Sequence, residues 1–202
     1  DWVFETTNGN CKFELQTNGY FSQTIAEWVA KNIDIVWISC DGPPEIQNFY
    51  RPTLGNRPTS DIVERNIRFL ASQPIILGCR TTIGIKNVEK QCEMINYFAI
   101  LGVKVVMSDP IFMPVKGYKD ISIEPEKLDL LEYARHFLEA RKHAEEQGIF
   151  YGSIFTVNFD ERTEYFCRAC IPYPHLTTDG FVTCCDMAYT GADPHMKELV
   201  YG

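Results

Sequence analysis

From Phe13 to Gly148 short apolar runs alternate with amphipathic segments, the pattern of parallel strands joined by crossover helices. Phe13–Gln16 reads as a first strand. Ser22 is placed to cap a helix running through Ile25, Trp28 and Val29 to Asn32, and Asp34–Ser39 follows as a second strand. After a loop rich in turn residues, Ser60 or Asp61 opens a helix whose Ile62, Val63, Ile67 and Leu70 share one face and lead to strand Ile75–Ile83. Asn87 is predicted to cap the next helix, with Val88, Cys92, Ile95 and Phe98 inward and Gly102 as its stop, before strand Val103–Met107. Beyond a loop marked by Pro and Gly from Pro110 to Asp120, Pro125 sits at the first position of the longest helix, which runs through Leu128, Leu131, Phe137 and Leu138 to Gly148. Phe150–Phe159 is predicted as a terminal strand, and the cysteine segment from about Arg162 as a separate small module. The expected organisation is an α/β domain over 1–160 followed by a cysteine-rich module over 161–202.

In sheets of this kind ligands bind at the carboxyl ends of the strands. Those ends are polar and small here: Thr17-Asn18-Gly19, then Ser39-Cys40-Asp41-Gly42-Pro43-Pro44, then Arg80, Thr81 and Thr82, then Ser108-Asp109-Pro110. Hydroxyls, an amide, glycines that admit close backbone approach and an arginine able to grip a carboxylate suit a zwitterionic, ribose-bearing ligand. Asn-Gly and Asp-Gly are also ordinary turn dipeptides, so the weight lies in four consecutive strand ends sharing this character.

Composition narrows the classes. The 202 residues are 45% hydrophobic and 13% aromatic, enough for one sizeable core with a small appendage. No apolar run approaches the ~18 residues of a membrane helix, so Ile33–Ile38 and Val103–Met107 read as buried strands and no membrane partner is expected. A net charge of -8 without a dense Lys/Arg stripe argues against a nucleic-acid partner.

Four of the eight cysteines fall between Cys167 and Cys185. The spacing is C-x12-G-x4-C from Cys167, or C-x9-G-x4-C from Cys170, through Gly180 to Cys185. A turn glycine between two thiolate arms lets both fold around one iron-sulfur or zinc centre, which is favoured over a disulfide framework. Free thiols with nothing resembling a secretory leader point to the cytoplasm. One reading is a zinc-stabilised binding module in which Cys167, Cys170, Cys184 and Cys185 make a four-thiolate site beside a non-catalytic α/β domain, although adjacent Cys184 and Cys185 are poorly placed as two ligands of one tetrahedral ion. His175 lies in the same loop as a further zinc ligand or as a solvated histidine. An aldolase-like or lyase-like barrel would call for a catalytic lysine or a carboxylate pair at the strand ends, and none stands out.

The T-N-G strand end, the segment Ser39-Cys40-Asp41-Gly42-Pro43-Pro44 with its trailing Tyr50-Arg51, the strand Arg80-Thr81-Thr82-Ile83 and the C-x12-G-x4-C opening together resemble radical S-adenosylmethionine (SAM) enzymes of the SPASM subgroup, the peptide maturases and anaerobic sulfatase-maturing enzymes. The resemblance implies a partial (β/α) TIM-like barrel followed by the start of an auxiliary-cluster module. It implies that Thr17, with Asn18 beside it, lies near bound SAM, that Ser39 meets its ribose or methionyl group and that Arg80 meets its carboxylate. Asp41 and Arg51 either touch the ligand or organise the loop. Cys167 and Cys185 match two ligands of an auxiliary [4Fe-4S] cluster, and Cys170 and Cys184 are either substitute ligands or inert neighbours. The implied chemistry is a 5'-deoxyadenosyl radical acting on a peptide or protein. Three family features are missing, the C-x3-C-x2-C loop, the glycine-rich segment that normally follows it and the full run of later module cysteines, so the chain is expected to be an inactive fragment whose first strand edge is covered by residues 1–12 or by a second copy in a homodimer.

Overall fold

The computed structural model describes residues 2–111, 128–154, 156, 174–185, 188, 190–191 and 197–202. It divides the chain into two units, Asp1–Thr156 and Val157–Gly202.

In the first unit a short helix α1 (Trp2–Thr6) precedes a regular succession: β1 (Glu14–Thr17), α2 (Gln23–Asn32), β2 (Ile35–Ser39), α3 (Pro44–Tyr50), α4 (Ser60–Ala71), β3 (Ile76–Ile83), α5 (Gln91–Ile100), β4 (Val105–Pro110), α6 (Leu130–Glu146) and β5 (Phe150–Gly152). The five strands are all parallel and lie in chain order β1-β2-β3-β4-β5. This is an α/β fold, as the alternation of apolar runs predicts, and its strand order is that of a partial (β/α) barrel.

Burial alternates along the strands. Val36 and Ile38 of β2, Leu77, Cys79, Thr81 and Ile83 of β3, and Val106, Ser108 and Pro110 of β4 are buried, and they pair in register onto one face. That face packs against Val29, Val63, Ile67, Leu70, Met94, Ile95, Phe98 and Phe137 of the helices. The opposite face carries Gln16, Trp37, Ser39, Arg80, Thr82, Met107 and Asp109, none of them fully buried. An open doubly wound sheet buries both faces under helices, whereas a barrel sheet keeps its helices outside and leaves the other face to the lumen. Gly78 makes room on this inner face: a Cβ there would collide with the Trp37 ring.

Several local expectations change. The loop after β2 contains helix α3, started by Pro44 in its first turn. Asn87 does not cap α5. Its Oδ1 accepts from Gly84 N at 2.8 Å, and its Nδ2 donates to Asp41 O at 3.1 Å and Thr82 O at 3.0 Å, so the amide ties two strand-end loops together. The fourth strand starts and ends later than predicted, at Val105 and Pro110, because Val103 closes the turn after α5 by donating to Phe98 O. Helix α6 is capped by Asp129, whose side chain accepts from Leu131 N at 2.9 Å, and Pro125 lies outside the described residues. Tyr133, Phe137, Ala140 and Ala144 form the buried stripe of α6, leaving Leu131 82% exposed and Leu138 also outside the core. The last strand covers only Phe150–Gly152, and residues 157–159 lie outside the described residues. Among the described residues β1 pairs only with β2.

In the second unit, β6 (His175–Leu176) and β7 (Val182–Thr183) form an antiparallel hairpin. Gly180, at φ +90°, makes its turn, the conformation expected of a glycine between two arms. Asp179 fastens the turn: it accepts from Thr177 Oγ1 at 2.7 Å and from Gly191 N at 3.0 Å. These donors hold its carboxyl below the usual range.

Candidate functional site at the strand ends

Inward-facing residues at the carboxyl ends of β1 to β4 meet around a cavity of about 260 Å³ lined by Gln16, Ser39, Arg51, Arg80, Thr82 and Asp109, with Thr81 and Pro110 at its border. The parallel register builds this group, because Ser39 pairs with Arg80 and Thr82 pairs with Asp109. Arg80 reaches across two strands to donate to Gln16 Oε1 at 3.1 Å, and its other amino group lies 3.6 Å from Asp109 Oδ2. Asp109 is fixed from behind: its Oδ1 accepts from Ser153 Oγ at 2.9 Å and Ile154 N at 2.8 Å. The cavity wall thus offers a guanidinium, a carboxylate, an amide and two hydroxyls within a few ångströms, a set matched to a zwitterion.

Asp41 plays a different part. It is 1% exposed, and its carboxylate accepts from Arg51 Nε at 2.6 Å, Arg51 Nη2 at 3.2 Å and Thr82 N at 2.8 Å. Both oxygens are therefore spent within the protein, and Asp41 organises the loop by fixing Arg51. Arg51 also donates to Thr82 Oγ1 at 3.3 Å. Its guanidinium borders the small cavity and a second one of about 600 Å³, which Asn18, Tyr20, Gln47, Thr53, Leu54 and Arg57 also line.

The T-N-G turn is held by its own side chains. Thr17 Oγ1 accepts from Gly19 N at 3.2 Å, and Asn18 Oδ1 accepts from Tyr20 N at 3.0 Å. Thr17 pairs with Ile38 on the helix-packed face and lines neither cavity, whereas Asn18 borders the larger one. Buried Asn66 donates to Gly19 O at 2.8 Å and Phe21 O at 2.9 Å, and Asn48 Oδ1 receives Thr59 N and Ser60 N at 2.8 and 3.0 Å. Sequence reading missed these amides and Gln16, since a buried loop-tying amide and a solvated one look alike in sequence. Thr82 and Asp109 were visible as strand-end polar residues, and counting two from Arg80 places Thr82 on its face.

Cys40 and Cys79 are core thiols. Burial pushes Cys40 up to about 12 and Cys79 upward as well, which leaves both uncharged. Cys184 and Cys185 follow the second arm of the hairpin as half-buried cysteines. Cys167 and Cys170 lie outside the described residues. Among the described residues no cluster of three or more His, Cys, Asp or Glu is set for a metal ion, and no helix is long and apolar enough to cross a membrane.

The one-sided parallel sheet is a fold that this chain shares with solved radical SAM enzymes of the SPASM type. The chain superposes on anSMEcpe with bound AdoMet at a TM-score of 0.73 and 19% identity, covering 98% of this chain and 59% of that one. Against Streptococcus suis SuiB bound to its precursor peptide SuiA the TM-score is 0.67 at 14% identity, over 95% of this chain and 46% of SuiB. A stretch of 105 residues is 32% identical to an uncharacterized protein of Methanocaldococcus jannaschii, which is 51% of this chain and 36% of that protein. The chain therefore spans well under two thirds of each of these proteins. No family model matches it.

Proposed function

We propose that this chain is part of a radical SAM enzyme that modifies a peptide or protein. The observation that carries the reading is the gathering of Gln16, Ser39, Arg80, Thr82 and Asp109 around one cavity on the inner face of a barrel-type sheet. These residues fit the amino-acid end of SAM: the Arg80 guanidinium takes the carboxylate, Asp109 and Gln16 supply acceptors for the ammonium, and the Ser39 hydroxyl serves either end. SAM held there would supply radical chemistry able to abstract a substrate hydrogen, given an electron from a [4Fe-4S] cluster. The chain's own residues orient the amino-acid end and keep the lumen face dry with Trp37 and Met107. Cys167 and Cys185, with Cys170 or Cys184, would hold an auxiliary [4Fe-4S] cluster, the hairpin turn at Gly180 separating the two arms. A peptide substrate is supported by SuiB, solved with a precursor peptide in the same fold.

Calorimetric titration of SAM into the chain tests the site. Saturable binding that weakens by roughly 1 kcal/mol in Arg80→Ala is expected, the lower end of a charge-assisted contact because Arg80 is nearly half exposed. No binding, or unchanged affinity in the variant, overturns the assignment. The 202 residues contain no C-x3-C-x2-C motif, so the chain reconstituted with iron, sulfide and dithionite is expected to release no 5'-deoxyadenosine from SAM by chromatography.

A further inference from the structure

The larger cavity, of about 600 Å³, lies next to the SAM-type site and shares Arg51 with it. Its polar lining is one-sided in chemistry. Gln47 is 1% exposed, and its Oε1 accepts from Asp41 N at 2.9 Å, which fixes the carbonyl end of the amide and turns the Nε2 donor to the other side. Gln47 borders the cavity. Asn18 repeats the arrangement: its Oδ1 is taken by Tyr20 N, which leaves Nδ2 as a donor on the same wall. Arg51 adds a guanidinium whose Nε and Nη2 are held on Asp41, and Arg57 adds a second one. No Asp or Glu lines the cavity, in a chain whose net charge is -8.

Two amides anchored by their oxygens and two guanidiniums make a pocket of donors, the complement of a ligand that brings acceptor oxygens and negative charge. We infer that this cavity binds a carboxylate, and that the carboxylate belongs to an acidic residue of the peptide substrate, held beside the radical site. The inference rests on the proposed function for its peptide and deepens it to a substrate with Asp or Glu near the modified residue. Arg57 is the specificity residue, because Asp41 already balances the charge of Arg51 and leaves Arg57 as the net positive group of the pocket. Exposed Leu54 on the rim offers an apolar contact for the neighbouring residue of such a peptide.

The test is an NMR titration of the 202-residue chain, following the arginine Nε–Hε and glutamine side-chain signals. The probes are N-acetyl-Ser-Gly-Glu-Gly-Ser-amide and its Gln counterpart, with SAM titrated separately. The Glu peptide is expected to shift the Arg57 and Gln47 signals saturably, about five-fold or more tighter than the Gln peptide, and to lose that margin in Arg57→Gln. Arg57 is exposed and carries no side-chain tie in the fold, so this variant keeps the structure. Equal affinities for the two peptides, or an unchanged margin in Arg57→Gln, overturn the inference. Saturable shifts of Arg57 and Gln47 by SAM alone also overturn it, because the carboxylate would then be SAM's own. If the Glu peptide binds as expected while SAM fails to shift Arg80, the carboxylate-binding pocket stands and the SAM reading falls.

Discussion

Replacing Asp41 tests whether the strand-end site is held by a buried ion pair. In Asp41→Asn the shape is kept, but one oxygen becomes an NH2 group that faces the Arg51 guanidinium, donor against donor. Three hydrogen bonds are affected: those from Arg51 Nε at 2.6 Å, Arg51 Nη2 at 3.2 Å and Thr82 N at 2.8 Å. Removing one partner of a fully buried pair costs ~3–5 kcal/mol, mostly for the charge left behind. The Arg51 side chain is 33% exposed and can turn to water, which reduces the expected loss to about 2 kcal/mol for Asn. Asp41→Ala adds a small cavity and strands Thr82 N, so about 3 kcal/mol is expected there. With a urea slope of roughly 2 kcal/mol per molar, the Asn variant shifts the unfolding midpoint by about 1 M, readable by far-UV circular dichroism. The partner test is a double-mutant cycle: Asp41→Ala and Arg51→Ala together are expected to cost clearly less than the sum of the single changes. A midpoint for Asp41→Asn within the error of the parent, or additive effects in the cycle, would refute the ion pair as the organiser of this loop.

Gly19→Ala is expected to lose about 2 kcal/mol or more in the same urea assay, because φ is +71° and the added Cβ would lie 2.7 Å from Ile38 Cγ2 in the packed core; a midpoint equal to the parent's counts against this packing. Burial raises Tyr133 from 10.0 to about 12 and Cys40 from 9.0 to about 12, so the folded state binds these protons more tightly than the unfolded one. The stability they contribute is fully present below about pH 9 and is lost as pH rises from there towards 12; urea midpoints should fall between pH 9 and 11, less steeply in Tyr133→Phe, and a flat profile contradicts the shifts. Iodoacetamide at pH 8 is expected to alkylate Cys11 and Cys184 well before Cys40 or Cys79, which mass spectrometry of a time course reads directly; prompt labelling of Cys40 would deny its burial.

Helices and strands were legible where burial imposes a period. The runs ending at Ser39 and Ile83 and the face of Val63, Ile67 and Leu70 match the structure because each packs on one core. Pro43-Pro44 hid α3, since a proline pair reads as a turn until the helix that Pro44 opens is seen to bury Ile46 and Gln47. Ser39 and Arg80 stood out as polar residues closing apolar runs, but their meeting depends on strand register, which no local pattern encodes. The Asp41–Arg51 pair spans helix α3, and its role as a brace shows only once that helix turns the chain back.

The parity of burial carries the step from fold to function. A sheet buried on both faces would have spent Trp37, Met107 and Thr82 on helix packing, and ligand would be confined to a crevice at a strand-order switch. Here the order runs from β1 to β5 without a switch, so no such crevice exists among the described strands, and the polar residues converge instead on the inner face. The side chains that point inward at the carboxyl ends, Gln16, Ser39, Arg80, Thr82 and Asp109, are also those that no helix covers. An arginine on that face stays in place because Gln16 of β1 on one side and Asp109 of β4 on the other hold it. The proposed ligand site at this sheet would thus be a consequence of one-sided packing: the face left free of helices is where the residues able to grip a zwitterion are gathered.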